Sequence, residues 1–175
     1  MNNLSFHITD IVANSIRANA SEISVYLTNN EKEILIHITD NGCGMDANTL
    51  ERVTNPFYTT RNTRKVGLGL PFLRQNAEQT GGNLTITSTL GKGTEVKALF
   101  ISSHIDCPPW GDLAETIVLL ITGNPDVNIH FSYQSDISSF TISTQDIKDA
   151  LDGMPLSHPQ VTLWLKEMIG ANVMS

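Results

Sequence analysis

The chain has 175 residues, 40 % hydrophobic and 17 % charged, which suits one globular domain or one domain with an appendage. No apolar run approaches the roughly 18 residues of a membrane span, the N-terminus lacks a signal-peptide pattern, and Cys43 and Cys107 make neither a disulfide framework nor a metal site, so the expectation is a cytoplasmic protein with reduced thiols and no membrane contact. The net charge of −7 comes wholly from residues 102–175, which hold two Lys/Arg against nine Asp/Glu where residues 1–101 hold nine of each; that argues against a nucleic-acid partner and leaves a solvated acidic surface or a basic protein partner.

Residues 4–20 read as an amphipathic helix, with Leu4, Ile8, Ile11, Val12 and Ile16 on one stripe. Residues 22–28 alternate through Ile23, Val25 and Leu27, and residues 33–40 through Ile34, Ile36 and Ile38, two strands joined at Asn29-Asn30. A glycine loop, 41–44, precedes a short helix at 47–53. Residues 54–66 are irregular. A helix starts near Gly69, tolerates Pro71 in its first turn and stops at Gly81-Gly82. Strands at 84–89 and 94–101 meet at a Gly91-Lys92-Gly93 turn. Residues 103–111, with Pro108-Pro109, read as a boundary. Beyond it come a helix (112–122), a hairpin (127–133 and 138–143) and two helices (144–151 and 158–169). The expected domains are 1–102 and a C-terminal α+β piece at 103–175, a small subdomain or an extension of the first.

Four groups of residues carry chemistry. On the first helix, His7, Asp10, Asn14 and Arg17 fall on one side, away from the apolar stripe. They form either a solvated polar face or a holder for a metal-bound triphosphate, since magnesium favours oxygen ligands such as an Asn carbonyl. Asp40 points the same way as Ile34, Ile36 and Ile38, which puts a carboxylate at the edge of a buried face, where a charge needs a partner. It either caps the next loop or accepts from the amino group of a buried adenine, with Gly42 and Gly44 allowing close approach. Gly67-Leu68-Gly69-Leu70 opens a helix and leaves N–H donors free for phosphate; no Walker A or Rossmann pattern is present. Gly91-Lys92-Gly93-Thr94-Glu95 is a hairpin turn from which the Thr94 hydroxyl can reach Asp40.

In this order the pieces resemble the boxes of the GHKL superfamily, which includes histidine kinases, DNA gyrase, the heat-shock chaperone ATPase and MutL-type repair proteins. D-I-V-A-N-S-I-R-A (10–18) is similar to the N box and D-N-G-C-G-M (40–45) to the D-x-G-x-G box. N-P-F-Y-T-T-R (55–61) resembles the F box of sensor histidine kinases; G-L-G-L (67–70) and G-K-G-T-E-V (91–96) resemble the later glycine boxes. The resemblance covers about residues 4–101. It implies a Bergerat fold: a two-layer α+β sandwich, with a mixed, mostly antiparallel sheet and helices on one face.

The resemblance further implies that ATP and Mg²⁺ bind here. Asn14 would hold the metal and Asp40 the adenine amino group, assisted by Thr94. Gly42, Gly44 and Met45 would line the base. Arg17, Gly67, Leu68, Gly69 and Leu70 would serve the phosphates. Residues 54–66 would form a lid carrying Arg61 and Lys65. Hydrolysing members carry a glutamate base four residues before the helix asparagine; here Asp10 stands there, one methylene shorter. Histidine kinases precede this domain with a helical hairpin bearing the phosphorylated histidine, whereas this chain opens on the N box. His7 reads as structural, and the other histidines have no metal spacing. The expected activity is a stand-alone kinase acting on a protein partner, as in family members that are serine kinases. The alternatives are an ATPase switch or a non-catalytic ATP-binding module.

Overall fold

The computed structural model describes residues 3–55 and 69–173. Alternation of apolar and polar residues sets the sheet, because side chains along a strand point to opposite faces. Strands β1 (Glu22–Asn29), β2 (Glu33–Asp40), β3 (Asn83–Thr89) and β4 (Gly93–Ile101) are joined by β5 (Asn128–Ser135) and β6 (Ser139–Ser143) in one six-stranded sheet of order β3-β4-β2-β1-β5-β6. All neighbours are antiparallel except β1 and β5, which run parallel with Ile23 opposite Ile129 and Leu27 opposite Tyr133. One face buries Ile23, Val25 and Leu27, then Ile34, Ile36 and Ile38, then Val96, Ala98 and Phe100, then Ile129, Phe131 and Tyr133. The other face carries Tyr26, His37, Glu95 and Lys97, and stays partly open to water, as one-sided antiparallel sheets do. There His37 and Glu95 pair at 2.8 Å, and the hydrogen bond from His37 holds the Glu95 carboxyl below its ordinary range.

Among the described residues, six helices accompany the sheet: α1 (Leu4–Arg17), α2 (Ala47–Thr54), α3 (Gly69–Gln79), α4 (Leu113–Gly123), α5 (Thr144–Leu151) and α6 (Pro159–Asn172). The two-layer α+β architecture expected from the sequence is the one observed. Helix α1 buries Leu4, Ile8, Ile11 and Val12. It ends at Arg17, three residues before the reading from sequence, because Asn19 turns left-handed at φ 57° and the Ala20 N–H returns to the Ser15 carbonyl. The N-terminal N–H groups of α1, which a helix cannot satisfy by itself, are met by Asn3 and by the segment read as a boundary. Phe6 N–H donates to Asn3 Oδ1 at 2.7 Å, Leu4 N–H to Pro109 at 2.9 Å and Ser5 N–H to Trp110 at 3.0 Å. That segment is therefore packed, with Trp110 buried. Among the described residues, no helix is long and apolar enough to cross a membrane.

Arg17, at the end of the polar side of α1, is exposed and Asp10 and Asn14 are partly so, but the first turn of that side is not a solvated face. Helix α3 covers it: His7 is 1 % exposed, packs against Phe72 and takes a hydrogen bond on Nε2 from Asn76 at 2.9 Å. Burial lowers the His7 pKa below its ordinary 6.5. As pH falls, the unfolded chain then binds this proton before the folded one. The stabilising share is complete above about 6.5 and is lost as pH drops through the folded value. Urea unfolding of His7→Gln should show a smaller stability difference between pH 7.5 and 5.5 than wild type, by up to about 1.4 kcal/mol per pH unit below 6.5. An identical difference in both proteins would show that His7 titrates normally.

Candidate functional site

The strand alternation that buries the β2 isoleucines carries Asp40 to the end of the same face, where the core opens into a cavity of about 440 Å³. Its walls are Ile11, Asn14, Ser15, Arg17 and Ala18 from α1 and the turn after it, Asp40, Cys43, Gly44 and Met45 from β2 and its loop, Val53, Leu70, and Thr94 and Val96. The lining is mostly apolar, with few polar groups, the composition of sites that hold a flat organic ligand.

Asp40 is aimed rather than free. Ser15 Oγ donates to its Oδ2 at 2.6 Å and Gly42 N–H donates to its Oδ1 at 2.9 Å. Ser15 also lies 3.3 Å from the Ile11 carbonyl; its single hydrogen goes to the nearer, charged acceptor. Each carboxylate oxygen keeps acceptor capacity for a donor in the cavity. Sequence reasoning missed Ser15. The available signal was a hydroxyl four residues after Ile11 on a buried stripe, where it needs a partner.

Three glycines fix the loop that follows. A Cβ on Gly42 would stand 2.8 Å from Ala18 at the end of α1, and the Cys43 N–H donates to the Ala18 carbonyl at 2.9 Å. Gly44, at φ +67°, passes so close to β3 that a Cβ would lie 2.1 Å from the Thr89 carbonyl oxygen; Gly93, at φ +125°, would put one 1.9 Å from the Asp40 carbonyl oxygen. The loop is thus clamped between helix and hairpin. Gly93→Ala should cost about 3 kcal/mol, from an unfavourable φ and a clash with backbone, lowering Tm by roughly 6–12 °C for a chain of this size. An unchanged melting curve would mean that the clamp is loose.

Behind the wall, Ser88 joins three groups. Met45 N–H donates to its Oγ at 2.8 Å, Thr94 Oγ1 lies at 2.8 Å and the Gly93 carbonyl at 3.0 Å. Thr94 sits opposite Asp40 in the β2–β4 register, but its hydroxyl is paired with Ser88. Ser88 was not legible until the β3–β4 register placed it opposite Thr94.

Along α1, Arg17 donates to the Asn14 amide oxygen, and both line the cavity. Asp10 lies one turn before Asn14, outside the cavity lining, with its Oδ2 where a Cβ on Gly69 would fall, 1.6 Å away. Gly69 opens α3, so the carboxylate stands at a helix N-terminus, the end that favours negative charge. Leu70 is buried in the cavity wall. Of the residues singled out from sequence, Asn14, Arg17, Asp40, Gly44, Met45, Leu70 and Thr94 line the cavity, Gly42 packs against Ala18 and Asp40 in its wall, and Gly69 and Asp10 meet each other outside it. Arg61, Lys65, Gly67 and Leu68, and the lid reading beyond Asn55, lie outside the described residues.

Residues 3–103 match the family described as histidine kinase-, DNA gyrase B-, and HSP90-like ATPases. The chain belongs to this family. Two sensor-type relatives each match about half of the chain. A protein of Shewanella frigidimarina (strain NCIMB 400) named for a sensor role is 42 % identical over 85 residues, 48 % of this chain and 13 % of the relative. The sensor protein SrrB of Staphylococcus aureus (strain NCTC 8325 / PS 47) is 33 % identical over 94 residues, 50 % of this chain and 16 % of the relative. The chain therefore matches only a small fraction of these relatives' length. Among solved structures, the N-terminal domain of a DNA repair protein superposes with a TM-score of 0.60 at 16 % identity, covering 93 % of this chain and 56 % of that one. That likeness is one of fold, and it reaches beyond the residues matched by the family.

Proposed function

We propose that the cavity holds one Mg-ATP and that the chain passes the γ-phosphate to a histidine, serine or threonine on a separate protein partner. One observation carries the nucleotide reading. A half-buried carboxylate, pinned by Ser15 and Gly42, faces a mostly apolar cavity in the family's ATPase region. Such a wall suits an adenine, whose amino group donates to Asp40 while its faces rest on Ile11, Met45 and Val96. Gly42 and Gly44 keep the loop close to the ring, and Thr94 assists Asp40 from the neighbouring strand.

At the phosphate end, the Asn14 amide oxygen is a suitable ligand for magnesium, which takes few protein oxygens and completes its shell with phosphates and water. The oxygen has a second lone pair beside the one used by Arg17. Magnesium would neutralise charge on the phosphates; Arg17 would contact them, and Gly67, Leu68, Gly69 and Leu70, with Lys65 before them, would cradle and cover them.

The transfer reading draws on the sensor-type relatives and on where the histidines lie. None lines the cavity. His7 is buried against α3, His37 and His130 pair with Glu95 and Glu22 on the outer sheet face, His104 sits beside Asp106, and His158 caps α6. An acceptor brought by a partner fits that arrangement. A second reading, an ATPase acting as a nucleotide switch, is favoured by Asp10, whose carboxylate reaches Gly69, a residue of the proposed phosphate cradle at the start of α3.

ATP labelled in its γ-phosphate, given to the purified protein with and without co-purifying proteins, separates the readings. Label on a partner supports transfer. Free phosphate alone supports the ATPase, and binding with neither product leaves a regulatory module. No binding at all removes the nucleotide reading.

A further inference from the structure

We propose that Ser88 dictates the hydrogen-bonding polarity of Thr94 and thereby makes the cavity prefer a 6-amino purine over a 6-oxo purine. The inference rests on the ATP reading above and adds the residue that sets base selectivity.

Ser88 lies on the inward side of β3, behind the cavity wall and directly across from Thr94. Its hydroxyl has one hydrogen and two lone pairs, and it meets three groups. Met45 N–H is a donor only and takes one lone pair. The Gly93 carbonyl is an acceptor only, so that contact needs the Ser88 hydrogen. Thr94 must then donate its own hydrogen to the remaining lone pair of Ser88. No other assignment makes all three contacts hydrogen bonds. The cost of leaving one unmade in a half-buried site favours this one.

The consequence lies on the cavity side. With its hydrogen turned toward Ser88, Thr94 Oγ1 offers only lone pairs to a ligand. Asp40, its register partner in β2, is also an acceptor, and its two pinning donors come from the protein. The base end of the cavity thus presents acceptors from both strands. An amino group, or a water donating from between the two, satisfies them. A 6-oxo group sets its own lone pairs against them, and a site built for a donor rejects a ligand that lacks it.

Ser88→Ala releases the Thr94 hydrogen, which is then free to turn into the cavity and donate to a 6-oxo group. The experiment measures the affinities of ATP and inosine triphosphate for the full chain and its variants, by calorimetric titration. We expect wild type to favour ATP and Ser88→Ala to reduce the ATP-to-inosine triphosphate affinity ratio about tenfold, the effect of one hydrogen bond. Ser88→Thr, which keeps the hydroxyl, should retain the wild-type ratio. In a Thr94→Val background, Ser88→Ala should leave the ratio unchanged, because the group it acts through is gone. If Ser88→Ala does not fold, Ser88→Cys keeps the volume with a poor acceptor and reads the same ratio. A residue that only braces Met45 would weaken both nucleotides equally, so an unchanged ratio in Ser88→Ala or Ser88→Cys overturns the proposal. Failure of the wild-type protein to bind ATP is a different result and removes the nucleotide reading together with this one.

Discussion

Asp40→Asn weakens ATP binding by about 100-fold or more while leaving the fold nearly as stable as before. The second half of that expectation follows from the partners of the carboxylate. An asparagine would turn its oxygen to the Gly42 N–H and its NH₂ to Ser15. Ser15 accommodates the change, because a hydroxyl also accepts, and its hydrogen swings to the Ile11 carbonyl, already 3.3 Å away. The protein loses no pinned group. The ligand does. It faces an uncharged amide in place of a carboxylate, and a hydrogen bond to a charged partner contributes about 1.5–3 kcal/mol. With a new N–H near the donor of the base, the loss reaches about 2.7 kcal/mol, two decades in Kd. Calorimetric titration with ATP, beside thermal melts of both proteins, checks this. Wild-type affinity in the variant would count against adenine as the partner of Asp40; a collapsed melting temperature would make Asp40 a structural group.

Asp40 stands at the end of one strand and is held by two partners, Ser15 and Gly42, and only its place on the strand is legible in the sequence. Ile34, Ile36 and Ile38 declared the buried face of β2, and the strict period of two then forced Asp40 onto it. The same local logic gives β1, β4, β5 and the stripe of α1. What lies beyond it depends on pairings between distant residues. The parallel ladder from Ile23–Ile129 to Leu27–Tyr133 ties the acidic C-terminal part into the same sheet, and no local pattern announces a partner a hundred residues away. Ser88 is invisible for the same reason, and for Ser15 the stripe of α1 shows that a hydroxyl needs a partner but not that the partner is Asp40: each acts across an interface whose register must be known first. His7 reads as structural from the sequence, but helical geometry shows only which side of α1 is polar, not that α3, through Phe72 and Asn76, lies on it.

Asp10→Asn keeps ATP binding and lowers phosphate release by about 100-fold or more, within the 10²–10⁴-fold that a positioned general base contributes. The amide has the carboxylate's shape, so the contact with Gly69 at the head of α3 survives. What disappears is the carboxylate that, on the ATPase reading, would accept the proton of an attacking water. The shorter Asp, compared with glutamate, works only if the phosphate end of the ligand lies close to α1. Its position beside Gly69, one turn from Asn14, is consistent with that. The variant also divides the two reactions. Water must lose a proton to attack phosphorus, and so must a serine or threonine hydroxyl, but a neutral imidazole already carries a free lone pair. Single-turnover assays with γ-labelled ATP should therefore show hydrolysis falling in Asp10→Asn, with transfer to a hydroxyl falling alongside it. Transfer to a histidine on a partner would be largely spared. Undiminished phosphate release would remove Asp10 as the base. Lost release with transfer intact would identify the acceptor as an imidazole.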